Sequence, residues 1–235
     1  MASRRAKKLV HLALNCIQNH LLQLLKSMVF ICIYMQMTQL YLPFDPQNSE
    51  IAMLRMEACI TEIKSWMANN FLKLNDDKTE FIMFGTQRAL QSVSEWTVSV
   101  GDVEVVPSRT VRNIGAMMDS ALTMKPHIDS IIKSCYIQMR SLSKIRKYLT
   151  EEAAKSLTHA FVSSRLDMMN AILFKIPDDL LKKLQLIQNH AARIVKKANR
   201  YCHATPLLKD LHWLPIKSRI QFKILLLVFK SIHMQ

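Results

Sequence analysis

Residues 49–85 decide the fold, and they read SEIAMLRMEACITEIKSWMANNFLKLNDDKTEFIMFG. The apolar residues of the first part recur near helical spacing. This pattern predicts a helix that begins at Asn48 or Ser49 and ends near Asn70. The residues that carry the periodicity are Ile51, Leu54, Ala58, Ile63 and Trp66.

Strands are predicted on both sides of this helix. The polar segment 73–78 is typical of a turn, and the apolar segment 79–84 that follows it predicts a strand. Upstream, residues 29–42 are rich in β-branched and aromatic types and predict a strand or a hairpin. Downstream, residues 96–106 alternate around a central Gly-Asp pair and predict a hairpin, and residues 109–118 predict one more strand.

The pattern becomes helical from residue 125 onward. Thr150, followed by two glutamates, is a good N-terminal cap, and Pro177 and Pro215 stand where further helices begin. The helices are predicted near residues 125–147, 151–170, 178–199 and 216–233. The predicted fold class is therefore α+β, with strands and helices in the first part of the chain and helices alone in the second part.

The chain is strongly basic. Its 235 residues include 32 Lys and Arg against 18 Asp and Glu, a net charge of +14, of which residues 151–235 carry +8. A surplus of this size favours an acidic partner such as nucleic acid, although any single lysine is more typical of a solvated helix face. The cations that crowd one predicted helix, and that we consider as contacts to a nucleic-acid backbone, are Lys182, Lys183, Arg193, Lys196, Lys197 and Arg200.

Composition excludes several kinds of site. The 3 glycines are isolated, so the sequence contains no Gly-rich phosphate-binding loop. The 5 cysteines are irregularly spaced, which favours free buried thiols in a reducing compartment. Cys202 and His203 with His212 offer three metal ligands without a fourth, and we interpret them as structural.

No apolar run reaches the ~20 residues of a membrane-spanning helix, so no span is predicted. Residues 5–28 are basic and leucine-rich, and they predict a helix that covers a core. A membrane-surface helix or a mitochondrial presequence are the alternatives for this segment.

Six blocks of sequence follow one another in a characteristic order. The first, WMANNFLKLNDDKTEFIMFG, covers Trp66–Gly85; the others, between Val111 and Lys230, are VRNIGAMMD, LTMKPHI, SSRLDMMNAIL, LQLIQNHAARIV and LHWLPIKSRIQFKILLLVFK. The chain resembles, in these blocks, the reverse transcriptases of jockey-like, non-long-terminal-repeat (LINE-type) retrotransposons. The resemblance implies a partial palm over 34–120, made of a short antiparallel sheet and helices, and a thumb-like helical region over 121–235. Residues 1–33 lie outside it as a basic N-terminal helix.

The polymerase signature of that family, Y-A-D-D-T-Q-L-Y-L, is degenerate here. The chain reads YMQMTQLYL, in which Tyr34 matches, Met35 replaces the alanine, and Gln36 and Met37 replace the two aspartates. Nucleotidyl transfer uses two Mg²⁺ ions that lie ~3.5–4 Å apart and are held by carboxylates. A neutral amide and a thioether are poor ligands for Mg²⁺.

The family takes another aspartate and its fingers from sequence upstream, whereas residues 1–33 contain no Asp or Glu. The pairs Asp76-Asp77 and Asp178-Asp179 are interpreted as turn and helix-start acids, not as substitutes. The resemblance therefore implies a truncated enzyme without catalytic activity and without the family's Mg²⁺ cofactor.

The resemblance also assigns binding roles. Lys78 matches a lysine near the incoming nucleotide, and Asn113, Ile114 and Gly115 match the loop that holds the primer end. The helical cations would lie along the backbone of RNA, DNA or their hybrid, without sequence specificity.

Two other hypotheses stay open, a protein-interaction module with a protein partner and a translated relic without function. Family context and charge favour a nuclear or cytoplasmic protein over a secreted one.

Overall fold

The structure is a computed structural model of the chain. It describes residues 29–35, 38–45, 49–72, 79–91, 96–100, 103–113 and 115–233. The chain forms two compact units, Met1–Thr123 (the N-terminal unit) and Met124–Gln235 (the helical unit). The first contains the described strands and the second is helical, so the predicted α+β class is confirmed.

A three-stranded antiparallel sheet organises the N-terminal unit. Strand β1 (Val29–Met35) lies in the centre, between β2 (Thr38–Phe44) and β3 (Glu80–Phe84). The predicted hairpin at 29–42 and the predicted strand at 79–84 are confirmed. Because β1 begins at Val29, the expected boundary at residues 33 and 34 falls inside this strand. The predicted helix at 5–28 and the predicted turn at 73–78 lie outside the described residues.

Helix α1 (Ser49–Asn69) has the predicted length but a different buried face. Ala52, Met56 and Ile60, spaced by four residues, are buried against Phe81 of β3. Of the five residues that carry the helical periodicity, only Ile63 packs against this core, and Ala58 is exposed. Ile51, Leu54 and Trp66 are 53%, 66% and 61% exposed. Apolar residues occur on every side of α1, so its periodicity alone could not identify the face that meets the sheet.

Two short hairpins complete the N-terminal unit, with a small helix α2 (Gln87–Gln91) before them. Strands β4 (Val98–Val100) and β5 (Val103–Val105) confirm the predicted hairpin. The single strand predicted at 109–118 is wrong, because this segment is also a hairpin. Its strands are β6 (Thr110–Asn113) and β7 (Ala116–Asp119), and Gly115 between them has a φ of 88°, a left-handed conformation that favours glycine.

The helical unit contains the four predicted helices. Helices α3 (Lys125–Ile145), α6 (Asp178–Lys196) and α8 (Ile216–His233) are continuous. The helix predicted at 151–170 is interrupted: α4 (Glu151–Thr158) passes through a π turn at His159–Ser163 into α5 (Ser164–Asp167), and the short helix α7 (Ala204–Asp210) was not predicted. Short 3₁₀ turns at Arg146–Tyr148 and Asn170–Leu173 complete the elements.

Local sequence signals explain several of these helix starts. The Thr150 side chain accepts a hydrogen bond from the Ala153 N–H, which confirms the predicted cap. Pro177 directly precedes α6, whose first turn carries Asp178 and Asp179 as expected.

The core of the helical unit lies between α3 and α6. The buried residues of α6 follow a spacing of three or four: Leu180, Leu184, Ile187, Ala191 and Val195. Trp213 is buried, and burial raises the pKa of the Cys135 thiol in α3 to about 11. Cys202, by contrast, is exposed, so burial of the thiols is not general. No helix within the described ranges is long and apolar enough to cross a membrane.

Candidate nucleic-acid interface

The two units differ sharply in charge. The helical unit carries 20 basic and 7 acidic residues, a net charge of +13, whereas the N-terminal unit carries 12 and 11, a net charge of +1. Nearly all of the surplus of the chain therefore belongs to the helical unit. The structural division between Thr123 and Met124 makes this asymmetry much larger than a division at residue 150 suggests.

A cleft of about 500 Å³ runs beside α3 and α6 and is lined with cationic and aromatic side chains. We call it the basic cleft; its polar and aromatic lining consists of Tyr136, Ser143, Arg146, His190, Arg193, Lys197 and Arg200. Three of the six cations predicted from the sequence lie here together. A concave cationic surface of this kind suits a phosphate backbone, which is a line of closely spaced negative charges.

Helical spacing explains why these residues meet. Lys182, Leu186, His190, Arg193 and Lys197 follow one another at intervals of three or four residues and share one face of α6. Lys182 is exposed on this face beyond the cleft, and Lys183 is exposed next to it. The face continues the basic cleft toward the start of the helix.

The end of α6 brings Arg200 to the same cleft. Lys197 has a φ of 51°, and its N–H donates to the Ile194 carbonyl at 3.2 Å. The Ala198 N–H donates to the Arg193 carbonyl at 2.9 Å. This pair of hydrogen bonds is a Schellman arrangement, which stops the helix and reverses the chain. Residues 198–200 therefore turn back beside the last helical turn.

Arg146 fixes the end of α6 against the end of α3. Its side chain is only 7% exposed, and its Nε donates to the Ile194 carbonyl at 3.0 Å. Its Nη1 donates to the Leu149 carbonyl at 2.7 Å. The last carbonyls of a helix carry partial negative charge, so a buried guanidinium is well placed there. No local sequence signal distinguishes Arg146 from the exposed cations around it.

Lys196 has a different position from the other predicted cations. Its ammonium group bridges the carboxylates of Glu151 in α4 and Asp210 in α7. Hydrogen bonds to Asp210 and Glu151 raise the pKa of Lys196, and the hydrogen bond from Lys196 lowers the pKa of Asp210. Lys196 thus joins three helices, and its charge is balanced locally.

Aromatic rings accompany the cations of the basic cleft. Tyr136 and His190 form an edge-to-face pair with ring centroids 6.1 Å apart, and Tyr136 is 46% exposed. The Arg200 guanidinium lies 4.6 Å from the centre of the Tyr201 ring. Neither Tyr136 nor His190 was identified from the sequence. The residue spacing along α6 could have found His190, whereas Tyr136 lies on α3, and the sequence does not show that α3 packs beside α6. Exposed aromatic rings beside cations can stack on bases.

A larger cleft, of about 860 Å³, contains the Cys202, His203 and His212 side chains that were considered as metal ligands. Across the described residues no group of three or more His, Cys, Asp or Glu is placed to hold a metal ion. A network of amides lies beside this cleft: Gln188 Nε2 donates to the Leu214 carbonyl at 2.8 Å, and Gln185 Oε1 accepts from the Ile216 N–H at 2.9 Å. These bonds attach the start of α8 to α6.

The described residues of the segment YMQMTQLYL belong to the β1–β2 hairpin. Tyr34 pairs with Gln39, and Met35 pairs with Thr38. Gln36 and Met37 themselves lie outside the described residues. The donor set that they offer does not fit Mg²⁺, because a neutral amide and a thioether cannot replace two carboxylates.

The remaining predicted positions also belong to the N-terminal unit. Asn113 is 7% exposed at the end of β6 and pairs with Ala116 across the hairpin that Gly115 helps to close. Lys78 and Ile114 lie outside the described residues. The nucleotide and primer roles of these residues stay predictions.

Comparison with known proteins gives one relevant similarity. The chain is 24% identical over 168 residues to a Drosophila melanogaster protein described as a probable RNA-directed DNA polymerase from transposon BS. This similarity supports a reverse-transcriptase-like origin. It covers 70% of this chain but 18% of that protein, so the chain spans less than a fifth of its relative's length. No family profile and no solved structure matches the chain.

Proposed function

We propose that this protein is a catalytically inactive derivative of part of a non-long-terminal-repeat reverse transcriptase, whose helical unit binds RNA, DNA or their hybrid. The observation that carries the proposal is the concentration of charge: a net +13 in the helical unit, with four cations, Arg146, Arg193, Lys197 and Arg200, lining the basic cleft. The similarity to a transposon polymerase supports nucleic acid as the polyanion.

The proposed inactivity rests on ligand chemistry. Gln36 and Met37 stand where the resemblance expects two metal-binding aspartates. Without carboxylates, neither of the two ions needed for nucleotidyl transfer has a suitable ligand set. We therefore expect no Mg²⁺ cofactor and no polymerase activity.

The mode of binding follows from the kind of side chains present. Lysine and arginine on a helix face contact phosphate oxygens, which are the same for every sequence. Binding in the basic cleft is therefore independent of base sequence and weakens as salt concentration rises, because bound cations on the nucleic acid are released on association.

The test is fluorescence anisotropy with a labelled RNA–DNA duplex over a series of salt concentrations. We compare the protein with the triple variant Lys182→Glu, Lys197→Glu and Arg200→Glu. We expect affinity to fall about tenfold or more, and the slope of log affinity against log salt to decrease by about 3. Salt-independent binding, or equal affinity of the variant, would contradict the proposal.

A matched control separates the cleft from net charge. Arg55, Arg88 and Arg109 are exposed in the N-terminal unit, and reversing all three changes the net charge by the same amount. We expect this control variant to retain most of the affinity. An equal loss in both triple variants would show that only total charge matters.

Polymerase activity is tested separately by primer extension with Mg²⁺ or Mn²⁺. We expect no product from the protein, and none from the double variant Gln36→Asp, Met37→Asp, because two aspartates alone do not complete the metal site. Metal-dependent extension by the unaltered chain would disprove the proposed inactivity.

A protein-interaction role is the second candidate, and one observation favours it. Helix α8 buries Ile216, Ile220 and Ile224 but exposes Phe222 and Phe229, each by 57%. Exposed apolar side chains on a helix can form a contact with a partner. Salt-insensitive self-association in analytical ultracentrifugation would support this role, whereas a chain that does not fold would support the relic hypothesis.

A further inference from the structure

A second, smaller cleft of the helical unit lies apart from the basic cleft. It has a volume of about 350 Å³, near the lower end of the ~300–1,000 Å³ typical of small-molecule sites. The residues that matter for its chemistry are Asp167, Asn170, Trp213, Arg219, Phe222 and Leu226. We call it the Trp213 cleft.

Two buried polar groups of this cleft are unsatisfied. Trp213 is 6% exposed and Asn170 is 3% exposed. In the part of the chain that the structure describes, neither Trp213 Nε1 nor Asn170 Oδ1 has a hydrogen-bond partner. Buried polar atoms are normally paired, and each exception in a folded protein needs an explanation such as a bound water or ligand.

The ion pair between Asp167 and Arg219 determines which atom of the Asn170 amide lacks a hydrogen-bond partner. Asn170 Nδ2 lies 3.4 Å from Asp167 Oδ1, and both Asp167 oxygens also accept from Arg219, whose Nε is 2.8 Å from Oδ1. An ionised carboxylate can only accept hydrogen bonds. The amide nitrogen must therefore face Asp167, and Oδ1 remains an acceptor.

Next to this cleft, Trp213 Nε1–H is an unused donor and Asn170 Oδ1 is an unused acceptor. The lining is mixed: His159, Asp167, Arg219 and Lys223 are polar or charged, and Phe222 and Leu226 are apolar. Phe222, 57% exposed, and Leu226 lie on the same side of α8, four residues apart. A suitable ligand has a flat face that stacks on Phe222 and carries a donor and an acceptor on its edge. Every nucleobase has these properties, and an aromatic ring is a common stacking partner for an unpaired base.

We propose that the Trp213 cleft binds a single unstacked base of single-stranded RNA or DNA. The base stacks on Phe222, and its edge reaches Trp213 Nε1 and Asn170 Oδ1. Both atoms are covered in the present state, so side chains at the mouth of the cleft move aside when the base enters. The choice of a base over another planar amide rests on the nucleic-acid binding proposed above, since a unit with a net charge of +13 attracts polyanions.

The first measurement is an NMR titration of the ¹⁵N-labelled protein with uncharged nucleosides, uridine and adenosine. The 3 tryptophans give three indole N–H signals, and Trp213→Phe identifies that of Trp213. We expect this signal alone to shift, in a saturable way. No shift at millimolar nucleoside with the folded protein would overturn the proposal and leave water as the occupant. An equal response to N-methylacetamide would overturn the choice of a base.

Variants at the cleft mouth extend the test to whole strands. Phe222→Ala should weaken binding of a single-stranded oligonucleotide by roughly 5- to 150-fold, the range expected for one base–aromatic stack, and leave duplex binding unchanged. The matched control is Phe229→Ala, because Phe229 has the same 57% exposure on α8 but lies outside the cleft. Equal affinities of the two variants for the single strand would contradict the proposal.

The two proposals fail in different ways. If the basic cleft does not bind nucleic acid, duplex binding is absent at low salt but the nucleoside shift persists. If the Trp213 cleft does not bind a base, duplex binding is normal and salt-dependent, the indole signal does not move, and Phe222→Ala has no specific effect.

Discussion

The two units of this chain differ in charge and in how their proposed functional positions are built. The N-terminal unit has a net charge of +1, and the resemblance compares its Gln36 and Met37 with two metal-binding aspartates. The helical unit has a net charge of +13, and its Lys182, Arg193 and Lys197 follow the helical spacing of α6. A surface built on a helix of a unit with its own core does not depend on a loop of another unit. Under the proposed function, binding therefore persists although the catalytic site is lost.

Polar contacts in the helical unit strengthen this contrast. Arg146 holds the end of α6, Lys196 joins α6 to α4 and α7, and Gln185 and Gln188 attach α8. Arg146 acts beside the basic cleft, and the other contacts join the remaining helices of the unit to α6. The described part of the N-terminal unit instead gains its core from α1 against strands β3 to β5.

We expect the largest effect when the two units are produced as separate fragments and their duplex binding is compared. We expect a fragment of residues 124–235 to fold as a helical protein, seen by circular dichroism, and to bind the RNA–DNA duplex with affinity near that of the whole chain. The fragment of residues 1–123 should not bind, because its net charge is only +1. Loss of binding by a folded helical fragment would show that the interface needs both units.

A matched pair of core substitutions gives the next largest effect. Ile60 in α1 and Ile187 in α6 are 1% and 0% exposed. Each change to Ala should reduce the free energy of unfolding of its own unit by about 2–5 kcal/mol, because it removes buried methyl groups and leaves a cavity. In anisotropy measurements at increasing temperature, we expect the Ile187→Ala variant to lose duplex binding at a clearly lower temperature than the Ile60→Ala variant. Identical behaviour of the two variants would mean that the units unfold together.

Arg146→Met examines the contacts that order the basic cleft. The substitution keeps the apolar stem but removes the donors to the last carbonyls of α6, so we expect a loss of about 2–3 kcal/mol in chemical denaturation. The control is Arg140→Met, an exposed arginine of α3, with an expected change within about 0.5 kcal/mol. Equal effects would show that Arg146 does not hold the end of α6.

We expect the smallest effect from the pH dependence of stability. This dependence arises in the helical unit. Burial lowers the pKa of His127, and burial followed by the charges of Arg219 and Lys155 lowers the pKa of His159. Below pH ~6.5 the unfolded chain binds protons that these native side chains resist. Stability should therefore fall as pH decreases from 7.5 to 5.5.

Thermal melts at both pH values measure this effect, and His159→Phe should reduce the difference between them. The same substitution at the exposed His203 serves as the control. Stability that rises on acidification would contradict the predicted direction.

Strong local signals allowed much of the fold to be predicted. Thr150 with its glutamates, Pro177 with Asp178, and the apolar spacing of α6 each specify a helix start or face from neighbouring residues alone. The helix α1 was predicted, but its periodic residues did not identify its buried face, because apolar residues surround the helix. The prediction failed at 109–118, where a hairpin turn at Gly115 was interpreted as part of one strand. In both places the outcome depends on which strand packs or pairs nearby.

The candidate site was predictable only in part. Arg193, Lys197 and Arg200 could be identified as a basic cluster, since charge and helical spacing are visible in the sequence. The separation of Lys196 from that cluster was not visible, because its partners Glu151 and Asp210 are distant along the chain. The same reason explains why Tyr136, Arg146 and the Trp213 cleft were missed.

The sequence by itself determined the α+β order and the positive charge, and it has Gln36 and Met37 where the resemblance expects two aspartates, because each is a property of residue types and short-range spacing. Only the tertiary structure decided where that charge acts. Packing of α3 beside α6 brings Tyr136 into one cleft with Arg193, and packing of α4 and α7 brings two carboxylates to Lys196. Trp213 and Asn170 keep unsatisfied atoms beside another cleft. Contacts between residues far apart in the chain depend on how whole helices pack, and a local sequence pattern does not encode that packing.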